Sequence, residues 1–232
     1  MTNQSGTALA RRFFAGTGST YDYMVNLTTA GFDTWWKQKI MEKIPPCPTR
    51  IMDQASGTGI LTFKIARRFP ASRVIGIELR EEYLNLAIEK NRALGLRNVE
   101  FILGRAEDVF LKGRFDCITS SYLGKYAEME TLIQNSKKML RDGGVLIMHD
   151  FTYPKNRLCS WFLGRYFNLL QAFGSRIYPP WRIIFHELHG LIRRTEWVAQ
   201  LLETLEVNGF SRIEVESQTL GVSTIVSAEN TG

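Results

Sequence analysis

Asp53-Gln54-Ala55-Ser56-Gly57-Thr58-Gly59 is a run of small and polar residues between two apolar segments, Ile51-Met52 before it and Ile60-Leu61 after it. Small residues where a strand turns into a helix let the backbone approach a ligand closely. In an open parallel sheet, ligands bind outside the carboxyl ends of the strands. A plain tight turn would use the same residues, so the neighbours decide. A dinucleotide fingerprint asks for a third glycine at the helix start, with pyrophosphate on the helix N-terminus. Counting from Gly57, that position is Thr62. Asp53 at the strand tip would repel a pyrophosphate and suits a cationic ligand instead.

Strands and helices alternate on both sides of this run. Strands are expected over 50–55, 73–78, 99–103, 115–120 and 145–150, and helices over 60–69, 81–94 and 128–140. Pro70, Gly95 and Gly143-Gly144 close the three helices. This alternation implies a parallel sheet with helices on both faces. Val74-Ile75-Gly76-Ile77 is nearly continuous in its apolar character, as burial on both faces requires. The end of the chain breaks the pattern. A helix over 196–207 closes at Asn208-Gly209, and strands over 212–217 and 222–227 read as a hairpin.

Each strand end offers a polar group. Glu78 closes the second strand, where a carboxylate can accept from both hydroxyls of a ribose; its alternative is a solvated strand end. Gly104-Arg105-Ala106-Glu107-Asp108 follows the third strand, within reach of an adenine amine. Ser120-Ser121-Tyr122 follows the fourth, at the far end of the same ligand. S-adenosylmethionine, which carries an ammonium and a sulfonium and no phosphate, matches this order.

The 232 residues suffice for one α/β domain with a sizeable core. Residues 1–46 are expected to form an N-terminal helical cap, and 152–194 an aromatic helical insertion. With 44% hydrophobic and 22% charged residues, the composition is that of a globular protein. Residues 1–9 lack the apolar core of a signal peptide, and no apolar run reaches the roughly 18 residues of a membrane span. Cys47, Cys117 and Cys159 are isolated, which points to a reducing cytosol rather than a disulfide framework. The net charge of +6 comes from scattered pairs such as Arg11-Arg12, Arg67-Arg68, Lys137-Lys138 and Arg193-Arg194. No basic stripe forms, so a solvated surface is favoured over nucleic acid.

With Asp-x-Ala-x-Gly-Thr-Gly, Phe115-Asp116 and Gly143-Gly144 in order, the chain resembles the class I methyltransferases, and more closely the UbiE-type C-methyltransferases of ubiquinone and menaquinone biosynthesis. Phe13-Phe14, Tyr21-Asp22-Tyr23-Met24 and Gly31 with Trp35-Trp36 are similar to that group's opening segment. Asp150-Phe151-Thr152 with Pro154, and Asn208-Gly209-Phe210, resemble its later ones. The resemblance implies a Rossmann-like, mostly parallel seven-stranded sheet with an antiparallel C-terminal hairpin. It implies S-adenosylmethionine as cofactor, held by Tyr21, Asp53, Ala55, Ser56, Gly57, Thr58, Gly59, Glu78, Leu79, Ala106, Glu107 and Ser121, with no metal. Four positions depart from the group. Ile60 stands where an aspartate follows the Gly-Thr-Gly, Arg105 replaces another aspartate, and Lys125-Tyr126 replaces an Arg-Asn pair near the substrate.

The methyl acceptor is expected to be a quinone-like or other lipophilic aromatic ring. Its alternatives are another small molecule methylated on oxygen or nitrogen, or no turnover at all in a cofactor-binding subunit of a membrane-associated complex. A nucleic-acid base is disfavoured, because Ser120-Ser121-Tyr122-Leu123 lacks the Asn/Asp-Pro-Pro-aromatic element. Methylating a phenolic ring carbon calls for ionising the hydroxyl, and a base helps. Asp150 is the candidate base, ahead of His149; Tyr122 and Tyr126 are candidates to orient a hydroxyl, and ordinary packing is the alternative for all of them. His186 and His189, three apart, lack further ligands for a metal. Trp161, Phe162, Leu163, Tyr166, Phe167, Leu169, Leu170 and Phe173 make one segment apolar around most of a helix. It reads either as a core helix or as a lid over a lipophilic acceptor. Arg157, Arg165, Arg176 and Arg182 beside it suit peripheral contact with an anionic membrane. The localisation expected is cytoplasmic, with that contact at the periphery.

Overall fold

Residues 6–232 are described in the computed structural model; residues 1–5, and with them the start of the leader reading and of the cap, lie outside the described residues. Seven strands form one sheet in the order β3-β2-β1-β4-β5-β7-β6. They are β1 (Arg50–Gln54), β2 (Arg73–Glu78), β3 (Val99–Leu103), β4 (Phe115–Ser121), β5 (Leu140–Phe151), β6 (Phe210–Gln218) and β7 (Ser223–Asn230). β1 to β5 pair in parallel, and β7 lies antiparallel between β5 and β6. The expected hairpin is therefore present with its second strand inside the sheet and its first at the edge. The strand order reverses between β1 and β4. That switch point opens a crevice at their carboxyl ends, where Asp53 to Gly59 begins.

Three helices, α1 (Gly6–Phe13), α2 (Tyr21–Thr28) and α3 (Phe32–Glu42), precede the sheet. Crossover helices α4 (Ile60–Arg68), α5 (Glu81–Leu94) and α6 (Met129–Met139) link its strands. The connection after β5 contains α7 (Arg157–Leu169), a π-helical turn (Leu170–Gly174), the short α8 (Ser175–Ile177), a 3-10 turn (Pro179–Trp181) and α9 (Arg182–Arg194); α10 (Trp197–Val207) then returns to the sheet.

Alternation along the strands builds two cores. Met52, Ile75, Ile118, Leu146 and Met148 face α6 and α10, where they meet Leu132, Ile133, Trp197 and Leu201. Their neighbours Ile51, Val74, Cys117 and Ile147 face the other way, onto Ile40 of α3 and onto Leu61 and Ile65 of α4. Successive strand residues point to opposite faces, so a strand covered on both faces is apolar along most of its length. A third cluster joins Phe13, Met24 and Tyr126 to Trp181, Ile184 and Phe185, and so ties the N-terminal helices to the insertion.

The largest departure from the expected boundaries is at the start of β5. Gly143-Gly144 does not separate helix from strand: α6 ends at Met139, and β5 starts at Leu140 and runs through both glycines. Gly143 takes φ +71°, and the register with β4 shifts between Phe115 and Cys117. A glycine in the left-handed region allows such a bulge within a continuing ladder. No helix among the described residues is long and apolar enough to cross a membrane.

Candidate active site

The loop after β1 wraps the tip of β2. Glu78 is buried, and its carboxylate accepts the Gly57 N–H and the Arg80 N–H, both at 2.8 Å. Burial pushes its pKa up, and those backbone donors oppose the rise. A carboxylate has about four acceptor sites, so the Gly57, Leu79 and Arg80 N–H groups leave part of its capacity for a ligand. Gly57 takes φ +60°, and a Cβ there would meet the rings of Tyr21 and Tyr83 at 3.8 and 3.9 Å. The glycine is thus needed for its backbone conformation.

A cleft runs along the strand tips, lined by Tyr21, Ala55, Gly57, Glu78, Leu79, Ala106, Glu107 and Ser121. A smaller chamber continues it, with Asp53 and Ser56 in its wall. Of the expected cofactor residues, Thr58 and Gly59 are in neither wall. The Thr58 hydroxyl turns away to Asp22 of α2. Asp108 points outward and pairs at 3.6 Å with Arg105, which also meets Glu107 at 3.2 Å and Glu128 at 3.1 Å. Arg105, standing where the group has an aspartate, is thereby neutralised by three carboxylates at the rim.

Asp53 is fully buried. Its carboxylate accepts from the Thr62 hydroxyl at 2.6 Å and the Thr119 hydroxyl at 3.0 Å. Burial pushes its pKa up to about 6, against the pull of those hydroxyls and of Lys37. Ser56 Oγ, in the same chamber, is buried without a hydrogen-bond partner among the described residues. The donor and acceptor set fits S-adenosylmethionine: Glu78 for the ribose diol, an apolar wall at Leu79 and Ala106 for the adenine, and Asp53 for the ammonium.

A second cavity, of about 240 Å³, lies beyond the tyrosines. Phe14, Tyr21, Tyr122 and Tyr126 belong to both walls and form the partition. Most of the rest is apolar: Trp36 and Phe151 on the sheet side, Leu163, Tyr166, Phe167 and Leu170 from the insertion, and Ile184, Phe185, Leu188 and Ile192 from α9. The insertion therefore has two faces. Phe167 is buried against His189, with ring centroids 4.8 Å apart, while Leu158, Trp161, Phe162, Leu169 and Phe173 are exposed. His186 lies on the exposed side of α9, and among the described residues no cluster of His, Cys, Asp or Glu could hold a metal ion.

Among the described residues, Lys125 is the only cation in the cavity wall. Its ammonium is 2.5 Å from Asp150, and both side chains are buried, at 2% and 0% exposure. Burial lowers the Lys125 pKa, and Asp150 works against that. Asp150 also accepts the Lys125 and Phe151 N–H groups, so it is engaged by three donors and sits as a counter-ion. His149 points to the opposite face. Its ring nitrogens meet Ser121 Oγ at 2.9 Å and Ser223 Oγ at 3.2 Å, and burial with the charges of Lys37 and Lys125 holds its pKa well down. It is a neutral structural residue.

Tyr122 adopts φ +67°, an unusual backbone for a bulky residue, which aims its ring into the partition. The ring stacks on Phe151, and its hydroxyl donates to Asp33 at 2.7 Å. The Tyr126 hydroxyl is buried with no partner among the described residues, at the meeting of the two spaces. Burial raises both phenol pKa values, so both stay protonated.

The sequence reading missed Lys125 as an ion-pair partner, and it missed Asp33 and Lys37. A signal for the latter pair existed. Asp33, Trp36, Lys37, Ile40 and Met41 share one buried face of α3, and an Asp–Lys pair on a face otherwise apolar marks buried charge.

The sequence matches a model of the ubiE/COQ5 methyltransferase family over residues 2–229. It is 24% identical over 219 residues to the ubiquinone/menaquinone biosynthesis C-methyltransferase UbiE of Cereibacter sphaeroides, covering 92% of this chain and 87% of the relative. To the mitochondrial 2-methoxy-6-polyprenyl-1,4-benzoquinol methylase of Pongo abelii it is 25% identical over 253 residues, covering 92% of this chain and 77% of the relative. The fold is similar to a SAM dependent methyltransferase from Aquifex aeolicus, with a TM-score of 0.59 and 18% identity, over 84% of this chain and 89% of the other.

Proposed function

Since the chain belongs to the ubiE/COQ5 methyltransferase family, and so is an S-adenosylmethionine-dependent methyltransferase, we propose that it methylates a ring carbon of a lipophilic quinol-like acceptor held in the apolar cavity. The observation that carries this reading is the cavity wall. Aromatic and aliphatic residues make up most of it, with Thr28, Thr29, Thr152 and Thr219 among them; it adjoins the cofactor cleft at Tyr21, Tyr122 and Tyr126 and, among the described residues, holds a single cation, Lys125. The names of the relatives, a quinone-biosynthesis C-methyltransferase and a benzoquinol methylase, point to the same acceptor class.

When bound, S-adenosylmethionine supplies a methyl group already activated for in-line transfer. The chain's own part is to align the ring, exclude water and favour the ionised hydroxyl. A phenolate in a dry cavity is costly unless a cation meets it. Lys125, fixed by Asp150, is that cation, and the free Tyr126 hydroxyl donates to an acceptor oxygen. Asp150 positions Lys125. Tyr122 acts through its ring, because its hydroxyl is committed to Asp33.

The exposed face of α7, with Leu158, Trp161 and Phe162 beside Arg157 and Arg165, rests on an anionic membrane surface from which a lipophilic acceptor is drawn. The test uses methyl-labelled cofactor with separate lipid and polar extracts. Label is expected in a lipid product, on a ring carbon. Label on oxygen or nitrogen, or only in polar products, overturns the reading.

A further inference from the structure

We propose that Lys37, from the N-terminal helix α3, receives the carboxylate of the cofactor's amino-acid end, opposite Asp53, which takes its ammonium. The inference rests on the cofactor and is independent of the acceptor. A methionine-type end carries both charges on one carbon, so its recognition calls for an anion and a cation facing one small space. The chamber beside Ser56 and Gly57 has both. Asp53 comes from the tip of β1, and Lys37 is the one cation in the wall among the described residues.

The setting of Lys37 supports this role. Its side chain is 4% exposed. An ammonium has three donors, and burying it is expensive unless they are used. In the described residues it donates to Asp33 Oδ1 and lies 4.9 Å from the centre of the Tyr122 ring. Two donors remain for a ligand. Asp33 is drawn on from two sides, by Lys37 and by the Tyr122 hydroxyl. It therefore acts as the fixed counter-ion that holds Lys37 in place before the ligand arrives. The unpartnered Ser56 hydroxyl is a further polar group in the same wall. The cofactor's tail is thus gripped between the sheet and the N-terminal helices.

A purely structural Lys37–Asp33 pair is the competing account, and truncated ligands separate the two. 5′-Methylthioadenosine keeps the adenosine and the thioether of S-adenosylhomocysteine and lacks its amino-acid end. In calorimetric titrations of the full chain, Lys37→Met is expected to weaken S-adenosylhomocysteine by about tenfold or more, the loss of a hydrogen bond between charged groups. 5′-Methylthioadenosine should stay within about twofold. An unchanged ratio of the two affinities, including a parallel loss of both, overturns the proposal. Should the variant fail to fold, the unaltered protein answers the question: it is expected to bind decarboxylated S-adenosylmethionine at least about tenfold more weakly than S-adenosylmethionine. Equal binding overturns the proposal.

Discussion

The cofactor cleft and the apolar cavity share a wall of three tyrosines, Tyr21, Tyr122 and Tyr126, yet they are built differently. Most of the cleft's polar contacts come from strand tips and the turns that follow them. Glu78 and Asp53 are held by partners on the sheet or on the loop and helix directly after it, namely Gly57, Thr62 and Thr119. The cavity takes its wall from two helix pairs, α2 with α3 and α7 with α9, and the two pairs lie far apart in the chain. Its main polar feature, the Lys125–Asp150 pair, joins the loop after β4 to the end of β5. A site made from strand ends inherits the rigidity of the sheet. A site made between helices depends on their packing, and damage to its wall is damage to the fold.

The largest expected effect tests that last point. Phe167→Ala removes a buried ring between cavity and α9 and is expected to lower stability by about 3–5 kcal/mol. The acceptor's Michaelis constant should rise while S-adenosylhomocysteine affinity changes little. Phe162→Ala, on the same helix but 58% exposed, should stay within about 0.5 kcal/mol and weaken only sedimentation with anionic vesicles at low salt. Thermal denaturation, kinetics and vesicle binding on both variants check this. Equal destabilisation by the two would erase the distinction between the faces.

A smaller effect is expected on the cleft side. Glu78→Ala removes a charged acceptor for the ribose and should cost about 1.5–3 kcal/mol of cofactor affinity, with a small change in melting temperature because the strand remains. Isothermal titration gives the number. An affinity within about twofold of the parent would make Glu78 a loop anchor for Gly57 and nothing more.

The smallest effect is a pH dependence. Asp53 has its folded pKa raised to about 6 by burial. In the ligand-free protein, its contribution to stability is therefore present below its unfolded value and is lost as pH rises through about 6. Cofactor affinity runs the other way, since an ammonium needs the carboxylate. S-adenosylhomocysteine binding should weaken below about pH 6, approaching tenfold per pH unit, and Asp53→Asn should flatten the profile. A flat profile in the parent between pH 5 and 7 would separate Asp53 from the ammonium.

The sheet was legible because its evidence is local. Helix 81–94 and strands 73–78 and 99–103 appear where the apolar spacing and the flanking glycine place them. Gly143-Gly144 misled, because a glycine pair that ends a helix and one that forms a bulge look alike until the neighbouring strand is present. Glu78, Asp53 and Ser121 could be proposed from strand ends alone, since a parallel sheet sends every such end to the same edge. Lys125 could not, because a lysine in a sequence is by default a solvated one; Lys37 was legible only through its place beside Asp33 on the apolar face of α3.

The alternation of strands and helices, the turn at Asp53 to Gly59 and the acids at the strand tips were determined by the sequence itself, because each follows from spacing along the chain. Tertiary structure alone decided which side of the aromatic insertion is wall and which is surface, that Asp150 pairs with Lys125, and that Lys125 is buried. A helix apolar around most of its circumference has no preferred face until another element covers one, and a charge becomes buried only when residues distant in sequence close over it.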